Sequence, residues 1–291
     1  MLIQRTTPAR HVSDIERTGE RIVTTCRDGS VVWRVWGSGP PVLLGHGAQG
    51  SWTHWIRNIE TLAERHTVIA ADLPGHGDSG MPAGEDHRSM TAPLARGLRQ
   101  IVSPGTRVDL VGFSFGGVIM AYLAAHHPDL FGKLVLVGTP GLGTPAGDIR
   151  LQRVHGQTGD ARRAALTGNL LQLMLHRPEA VDDLAIHLLV ANAANTRLKP
   201  EIRARLTMPD KLQTILPAVR ARVAAIWGEC DRPLPGPELQ EKALRQLRPS
   251  APFHVIPKAG HWVMYERPDL FNAALLGILR SPCPSLHQAQ P

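Results

Sequence analysis

The stretch Val108-Asp109-Leu110-Val111-Gly112-Phe113-Ser114-Phe115-Gly116-Gly117 is the most informative part of this 291-residue chain. It begins with a mostly apolar run, which is typical of a strand that is buried on both faces of a sheet. Residues 118–127 follow it with the length of a helix. A G-x-S-x-G pattern therefore lies at the junction of a predicted strand and a predicted helix, with Ser114 at its centre.

A serine at such a junction can act as a nucleophile. Its hydroxyl reacts poorly unless a sharp turn holds it out of the sheet, where a base can reach it. Gly112 and Gly116 lack the Cβ atoms that would collide where strand and helix come close. The first N–H groups of the helix, beginning with that of Phe115, can donate to a developing oxyanion, and each donor is typically worth about 3 kcal/mol.

Further apolar runs on both sides of this stretch predict a sheet. Segments 21–26 and 31–36 are joined by Asp28-Gly29, which is typical of a tight hairpin, so we expect the chain to begin with antiparallel strands. Short buried runs recur at residues 41–45, 67–71, 133–138, 223–228 and 253–256. Because helix-length segments separate them, the predicted fold class is α/β, with a mostly parallel central sheet flanked by helices.

The alternation of strands and helices is interrupted between residues 141 and 222, where helical patterns occur without a strand run. Apolar residues recur at helical spacing within segments 160–176 and 178–195, and Leu170 and Met174 belong to the first stripe. We expect these stripes to pack on the main domain and in part to cover an active site. The predicted organisation is a core domain (1–141 and 222–291), an inserted helical cap (142–221) and a flexible tail (about 281–291).

Four further motifs extend the pattern over nearly the whole chain. Gly45-His46-Gly47-Ala48-Gln49-Gly50-Ser51 follows the third strand, and Asp72-Leu73-Pro74-Gly75-His76-Gly77-Asp78-Ser79 follows the fourth. Trp227-Gly228-Glu229-Cys230-Asp231 and Ala259-Gly260-His261-Trp262 come after the cap. Together with the G-x-S-x-G turn, these motifs resemble those of the α/β-hydrolase fold family, among them serine hydrolases with a helical cap.

The resemblance implies a catalytic triad in the order serine, acid, histidine. Ser114 would attack an acyl carbon, and His261 would take the serine proton and later deliver it to the leaving group. Asp231 would fix the imidazole tautomer and stabilise the imidazolium. Glu229 is an alternative acid, but the family pattern W-G-x-x-D places the acid at Asp231.

The same resemblance implies an oxyanion hole formed by the backbone N–H groups of Phe115 and of Ala48, with Gln49 as an alternative to Ala48. His46, His76, Asp72 and Asp78 lie in the family loops, where we expect them to hold the loops by hydrogen bonds. Cys230 is interpreted as a small buried residue and not as a nucleophile. The residues expected to contact the substrate are Gln49, Phe113, Trp262, Leu170 and Met174.

A serine at the turn argues against the dehalogenases and epoxide hydrolases of the family, which have an aspartate there. An esterase of small to medium carboxylic esters is the first interpretation. A carbon–carbon bond hydrolase of ring-cleavage dienoates is the alternative, although Phe113 stands where those enzymes usually have asparagine. Their cap also carries an arginine for the substrate carboxylate, for which Arg197 is the nearest candidate. A non-catalytic ligand-binding member of the fold is the third possibility.

Composition restricts the partners. The 32 Lys and Arg exceed the 25 Asp and Glu by seven charges, yet no block of five like charges occurs, so we expect a solvated basic surface and no nucleic-acid partner. No run of about 18 apolar residues and no leader resembling a signal peptide is present, so we expect a cytoplasmic protein without a membrane partner. The expected partner is a small-molecule ester or related carbonyl compound, and a homodimer is left open.

Metal and cofactor binding find no support in the sequence. Cys26, Cys230 and Cys283 lack the close spacing of metal or redox pairs. We therefore expect neither a metal nor a cofactor.

Overall fold

The computed structural model describes residues 7–208 and 210–281 of the chain. Its strands form one sheet in the order β1-β2-β4-β3-β5-β6-β7-β8. β2 pairs antiparallel with β1 and with β4, and every other pair of neighbours is parallel. This sheet confirms the predicted α/β class. The eight strands in the described residues are β1 (Glu20–Cys26), β2 (Gly29–Trp36), β3 (Pro41–Gly45), β4 (Thr67–Ala71), β5 (Val108–Phe113), β6 (Phe131–Val137), β7 (Arg222–Gly228) and β8 (Phe253–Ile256).

The apolar runs of the sequence occupy the middle of the sheet. β6 is buried at every residue, and β3 and β4 are buried at every residue but the first. In β5, Leu110 packs in the apolar cluster on one face of the sheet and Val111 in the cluster on the other face. Both faces of these strands are covered, which is why their sequences are continuously apolar and do not alternate.

Helices cover the sheet on both sides. Leu94, Ile119 and Leu244 bring α3, α4 and α9 into one apolar cluster, and Ile59 and Leu275 bring α2 and α11 into the other. No helix among residues 7–208 and 210–281 has the length and apolarity needed to cross a membrane. The described helices are α1 (Pro8–Arg17), α2 (Ile59–Ala63), α3 (His87–Ile101), α4 (Phe115–His126), α5 (Gly159–Leu173), α6 (Asp183–Ala194), α7 (Pro200–Thr207), α8 (Lys211–Ile215), α9 (Pro237–Leu247), α10 (Val263–Glu266) and α11 (Pro268–Arg280), with short 3₁₀ helices at Trp52–Trp55, Pro178–Ala180 and Leu216–Ala218.

Between β6 and β7 the described residues form helices α5 to α8 and no strand. The segment predicted as helix over 160–176 forms α5, and that over 178–195 forms a short 3₁₀ helix followed by α6. Leu170 of α5 and Leu188 of α6 are buried in the apolar cluster that also contains Phe113. The division into a core and a cap stays a prediction. The expected flexible tail lies outside the described residues except for Ser281.

The expectation that the chain begins with antiparallel strands is wrong, because α1 precedes β1. Pro8 occupies the first turn of this helix, and the Thr7 side chain accepts a hydrogen bond from Arg10 N at 3.3 Å. These are ordinary signals of a helix start. The apolar stripe of α1 is short: Ile15 is its one buried residue, and Val12 packs half-buried against the same apolar cluster.

The predicted hairpin between the first two strands is present, but its turn is shifted by one residue. Cys26 pairs with Gly29, so that Arg27 and Asp28 form the two-residue loop. Gly29 begins β2 with a φ of +128°, a conformation that glycine adopts without a steric penalty. The Asp-Gly pair therefore marks the end of the turn and not its centre.

Arg34 of β2 joins α1 to the loop that follows β4. Its side chain, only 5% exposed, contacts Glu16 at 2.6 Å, Asp72 at 3.0 Å and Asp78 at 2.6 Å. Asp72 also accepts hydrogen bonds from Trp52 N at 2.9 Å and Asp78 N at 3.0 Å, as expected of a residue that holds a loop. The sequence led us to expect the same side-chain to backbone bonds for Asp78, but its carboxylate binds the side chains of Arg34 and Arg21, and it accepts no hydrogen bond from a backbone N–H of the described residues. Burial raises the pKa of Asp72 although Arg34 opposes this change.

Replacing Arg34 should destabilise the protein, because it leaves the buried Asp72 carboxylate without its cation. We expect the Arg34→Met variant to lose about 3–5 kcal/mol of unfolding free energy at pH 7, measured by urea denaturation. Arg150→Met is the matched control, since it removes an ion pair with Asp148 in which both side chains are mostly exposed. A similar loss in both variants would contradict a special role for Arg34.

Candidate active site

The sharp turn predicted around Ser114 is present. β5 ends at Phe113 and α4 begins at Phe115, so Ser114 alone forms the junction. Its backbone lies at φ +51° and ψ −120°, a combination that residues with a side chain rarely adopt. Ser114 N donates to Val137 O at 2.8 Å, which ties the turn to the end of β6. The serine itself is half-buried and therefore remains accessible.

Glycines on either side permit this close junction. A Cβ atom on Gly112 would lie 2.5 Å from the Cα atom of Gly117, and one on Gly116 would lie 2.4 Å from the carbonyl oxygen of His46. Both distances are far below van der Waals contact. The two small residues of the G-x-S-x-G pattern are thus required by the approach of α4 to β5 and to the end of β3.

Asp231 and His261 are in direct contact. Asp231 Oδ2 lies 2.7 Å from His261 Nδ1, and its other carboxylate oxygen accepts a hydrogen bond from Leu234 N at 2.9 Å. Both side chains are almost fully buried. Glu229, the alternative acid, is exposed and accepts from Lys258 N at 2.8 Å. The geometry therefore supports Asp231 over Glu229 as the partner of His261.

Residues at the end of β6 connect the serine to the histidine. Val137 O accepts from Ser114 N, and the absence of a side chain at Gly138 leaves room for His261, whose Nδ1 would lie 3.1 Å from a Cβ there. Within the described residues, no hydrogen bond joins Ser114 Oγ to the His261 ring. Such bonds are often long in unliganded enzymes and shorten when substrate binds. The assignment of the three residues as a triad stays a prediction.

The loop after β3 lies against the serine. A Cβ on Gly47 would lie 3.3 Å from Ser114 Cβ, and Gln49 is held at φ +50°. In the part of the chain that the structure describes, neither Ala48 N nor Phe115 N donates a hydrogen bond to the protein. Both therefore remain able to donate, as the predicted oxyanion hole requires.

Comparison with known proteins bears on this arrangement. The sequence profile of the alpha/beta hydrolase family matches residues 42–274.

The chain belongs to the alpha/beta hydrolase family.

The relatives of this hydrolase differ in their named activities. It is 27% identical over 289 residues to a 2-hydroxy-6-oxo-6-phenylhexa-2,4-dienoate hydrolase of Burkholderia cepacia, which covers 91% of this chain and 97% of that protein. It is also 27% identical over 258 residues, 83% of its length, to the dihydrolipoyllysine-residue acetyltransferase component of the acetoin cleaving system of Pseudomonas putida, and it spans 64% of that protein.

A solved structure supports the fold assignment. The esterase RhEst1 from Rhodococcus sp. ECU1013 is similar to this hydrolase with a TM-score of 0.73 and 24% identity, over 91% of this chain and 99% of that one. The predicted resemblance to the α/β-hydrolase family and to its dienoate hydrolases is thus confirmed by the family profile and the Burkholderia relative, and RhEst1 supports the fold alone.

Residues 46–51 after β3 include part of the predicted oxyanion hole, and we call them the oxyanion loop. A small cavity of about 30 Å³, which we call the inner cavity, adjoins this loop. Four of the five residues that we expected to contact the substrate line this cavity, namely Gln49, Leu170, Met174 and Trp262. Phe113 is the exception, because its buried ring lies behind the site and packs against His261 with 4.9 Å between ring centroids. The residues that line the inner cavity are Ala48, Gln49, His54, Leu170, Leu173, Met174, Leu189 and Trp262.

Three of these residues, Leu173, Leu189 and His54, were not predicted from the sequence. Leu173 lies three positions after Leu170 on α5, so helical spacing could have identified it. Leu189 lies on α6, whose orientation relative to α5 the sequence does not specify. His54 gave no signal, because it is one of 14 histidines and lies outside the family motifs that we quoted.

A larger pocket of about 280 Å³, which we call the outer pocket, shares Gln49, Leu173 and Leu189 with the inner cavity. Its walls are mostly apolar and come from α5, α6 and the irregular segment before α5. Arg162 is the only arginine or lysine in its lining. The remaining residues of the outer pocket are Leu151, Val154, Leu166, Asn169, Val190 and Ala193.

One buried carboxylate attaches the helices between β6 and β7 to the histidine loop. Glu266 accepts hydrogen bonds from Arg177 N at 2.6 Å and His176 N at 3.0 Å, which follow α5, and from Gly260 N at 2.7 Å. Trp262 N also donates to Met174 O at 2.7 Å. Movement of the end of α5 would therefore disturb the position of His261.

Two more residues depart from their expected surroundings. Cys230 is only half-buried, and burial together with the Glu229 charge raises the pKa of its thiol, which does not favour a nucleophilic thiolate. Arg197 does not line either pocket described above. It donates instead to backbone carbonyl oxygens of Gly77, at 3.0 Å, and Ser79.

His46 and His76 hold loops, as expected. Nε2 of His46 accepts from Leu73 N at 2.9 Å, and its Nδ1 donates to Gly47 O at 2.8 Å. His76 Nδ1 contacts Pro74 O at 3.2 Å. Burial lowers the pKa of His46 to about 4 and that of His76 to about 3. Both rings are therefore neutral near pH 7.

These pKa shifts predict that the protein loses stability in mild acid. Unfolded histidine takes up a proton near pH 6.5, whereas buried His46 and His76 do so only near their lowered values. Their stabilising effect is fully present above pH 6.5 and is lost as the pH falls towards 4, because the unfolded chain then binds more protons. Each should contribute a loss of about 2 kcal/mol between pH 7 and pH 5.

Urea denaturation at pH 7 and pH 5 tests this, with His76→Gln compared against the wild type. The unfolding free energy of the variant should fall less between pH 7 and pH 5 than that of the wild type, by about 2 kcal/mol, which is the contribution of one histidine. His155→Gln, at an exposed position, is the control and should keep the wild-type dependence. An unchanged pH dependence in His76→Gln would show that His76 is not kept neutral by burial.

Proposed function

We propose that this hydrolase cleaves small to medium carboxylic esters through an acyl-enzyme, with Ser114 as the nucleophile. The observation that carries the proposal is the 2.7 Å contact between His261 and buried Asp231 beside the strained serine turn. Asp231 has only acceptor oxygens when ionised, so His261 Nδ1 donates to it and Nε2 keeps its lone pair. A lone pair at Nε2 is what removal of the serine proton requires.

The proposed reaction has two steps, acylation and deacylation, and His261 and the oxyanion hole act in both. Ser114 Oγ forms a bond to the acyl carbon while His261 takes its proton, and the proton then goes to the departing alcohol oxygen. Water, deprotonated by His261, next attacks the acyl-enzyme. The bond from the acyl carbon to Ser114 Oγ breaks, Oγ takes the proton back from His261, and the acid is released. In both steps the carbonyl oxygen becomes negative, and the free N–H groups of Ala48 and Phe115 would stabilise it by about 3 kcal/mol each.

The pockets support a substrate of limited size. The inner cavity beside the oxyanion loop has a volume of about 30 Å³, and the mostly apolar outer pocket adds about 280 Å³. Apolar walls favour an unbranched or aromatic acyl or alcohol group. We propose that long lipid esters are poor substrates, because the inner cavity can admit only a small part of such a chain.

Carbon–carbon bond cleavage of a dienoate is the second candidate. It is favoured by the 27% identity to a dienoate hydrolase over 91% of this chain. Arg197 is occupied by backbone carbonyls, so it does not suit the expected carboxylate. Arg162 suits it better: it lines the outer pocket, and the described residues provide no acidic partner for it. The presence of Phe113 in place of asparagine speaks against this reaction.

Removal of the nucleophile or the base should abolish ester hydrolysis. We expect Ser114→Ala and His261→Ala each to lower kcat by roughly 10⁴-fold to 10⁶-fold, measured with p-nitrophenyl butyrate. The exposed residues Ser103 and His254 provide matched controls, and their alanine variants should keep wild-type activity. If either active-site variant retained more than a tenth of the rate, the triad assignment would fail.

Substrate choice separates the candidate functions. With p-nitrophenyl esters from acetate to laurate, we expect kcat/KM to fall by roughly tenfold or more between hexanoate and laurate, because the inner cavity can admit only a small part of the longer chain. A synthetic ring-cleavage dienoate is assayed beside them. Fast dienoate cleavage with weak ester hydrolysis, reduced in an Arg162→Gln variant, would favour the second candidate. No turnover of any substrate would favour a ligand-binding protein.

A further inference from the structure

His54 is a polar group at the site that the proposed reaction does not use. It belongs to the 3₁₀ helix Trp52–Trp55, is 4% exposed and lines the inner cavity beside Ala48, Gln49 and Trp262. All other side chains in the lining except Gln49 are apolar or, like Trp262, have their polar atom bonded elsewhere. A buried imidazole in this cavity therefore requires an explanation.

The ring of His54 is firmly positioned. It packs between Phe113 and Trp262, with ring centroids 5.5 Å and 5.1 Å away, and Trp262 Nε1 donates to its carbonyl oxygen at 2.9 Å. Gly50 permits the ring to approach the backbone, since a Cβ there would lie 2.3 Å from His54 Cε1. These contacts hold the His54 ring in one orientation relative to the cavity.

The backbone of the oxyanion loop determines where the His54 proton lies. Gly47 N donates to His54 Nδ1 at 3.2 Å, so Nδ1 carries a lone pair and the proton of the neutral ring is on Nε2. Burial, together with neighbouring His46, His261 and His76, holds the pKa of His54 well below its ordinary value. At neutral pH the side chain is thus an uncharged donor at Nε2.

Nε2 of His54 is left free for a ligand. Among the described residues, Nε2 has no hydrogen-bond partner. It is also not fully enclosed by the protein. Nε2 therefore keeps some accessible surface, and His54 is one of the residues that line the inner cavity. A nearly buried donor that opens on a mostly apolar cavity is suited to bind one acceptor atom.

We propose that His54 Nε2–H donates a hydrogen bond to an oxygen in the acyl part of the substrate, and so selects acyl groups with an oxygen near the carbonyl. This inference rests on the ester hydrolysis proposed above. The carbonyl oxygen has the N–H groups of Ala48 and Phe115, and the leaving oxygen has His261. An acyl-chain oxygen, as in an alkoxy or oxo acid, is the acceptor that remains for His54.

A pair of isosteric esters tests the proposal. In p-nitrophenyl methoxyacetate an ether oxygen replaces one methylene of p-nitrophenyl butyrate, so size is nearly constant and only the acceptor differs. We expect wild-type kcat/KM to favour the methoxyacetate by about tenfold, after division by the same ratio for hydroxide-catalysed hydrolysis. The correction removes the higher intrinsic reactivity of the methoxy ester.

Two amide substitutions separate the two nitrogens of His54. His54→Asn keeps an oxygen near the position of Nδ1 for Gly47 N but has no donor near Nε2. His54→Gln reaches the position of Nε2 with its NH₂ group but leaves Gly47 N without its acceptor. We expect the corrected ratio of kcat/KM for the methoxyacetate to that for the butyrate to fall to about one in His54→Asn. The same ratio should stay near tenfold in His54→Gln, whatever the change in overall activity.

The outcomes distinguish this inference from the proposed function. A corrected wild-type ratio near one, with turnover of both esters that depends on Ser114, would overturn the role of His54 and leave ester hydrolysis intact. Retention of the preference by His54→Asn with its loss in His54→Gln would show that His54 only holds the oxyanion loop. Absence of turnover of both esters in the wild type would overturn the proposed function and this inference with it.

Discussion

The strained backbone at Ser114 is the constraint on which the rest of the site depends. A residue with a side chain at φ +51° is unfavourable by itself, so the surrounding structure must hold it there. It is held because α4 packs closely against β5 and the end of β3, an approach that only Gly112 and Gly116 permit. The same approach brings the loop after β3 against the serine, with the N–H groups of Ala48 and Phe115 left free.

A second constraint links regions that are distant in sequence. Glu266 is fully buried and accepts hydrogen bonds from backbone N–H groups on both sides of the cavity, at His176 and Arg177 and at Gly260. A carboxylate in such a place needs several donors to offset the loss of water. The helices between β6 and β7 and the loop that carries His261 are therefore fixed to each other, and the shape of the inner cavity depends on this connection.

Three buried histidine rings near the cavity are neutral. Burial keeps His46, His54 and His76 unprotonated, and each ring has at least one nitrogen paired with the backbone of a loop. A paired neutral donor or acceptor can be buried at a lower free-energy cost than a charge, which needs several partners, as Glu266 has. Among the described residues, Nε2 of His54 and Nε2 of His76 both lack a hydrogen-bond partner. His54 differs because its Nε2 is not fully enclosed, whereas that of His76 is.

The sequence by itself determined most strands, the helical segment between β6 and β7 and the serine turn, because apolar periodicity and glycine spacing are local properties of the chain. It did not reveal α1, which buries only Ile15, and it left the choice between Asp231 and Glu229 to a family pattern. Only the tertiary structure decided that Asp231 contacts His261, that Phe113 lies behind the site and that His54 opens on the cavity. These facts depend on packing between segments far apart in the chain, and such contacts leave no periodic signal in the sequence.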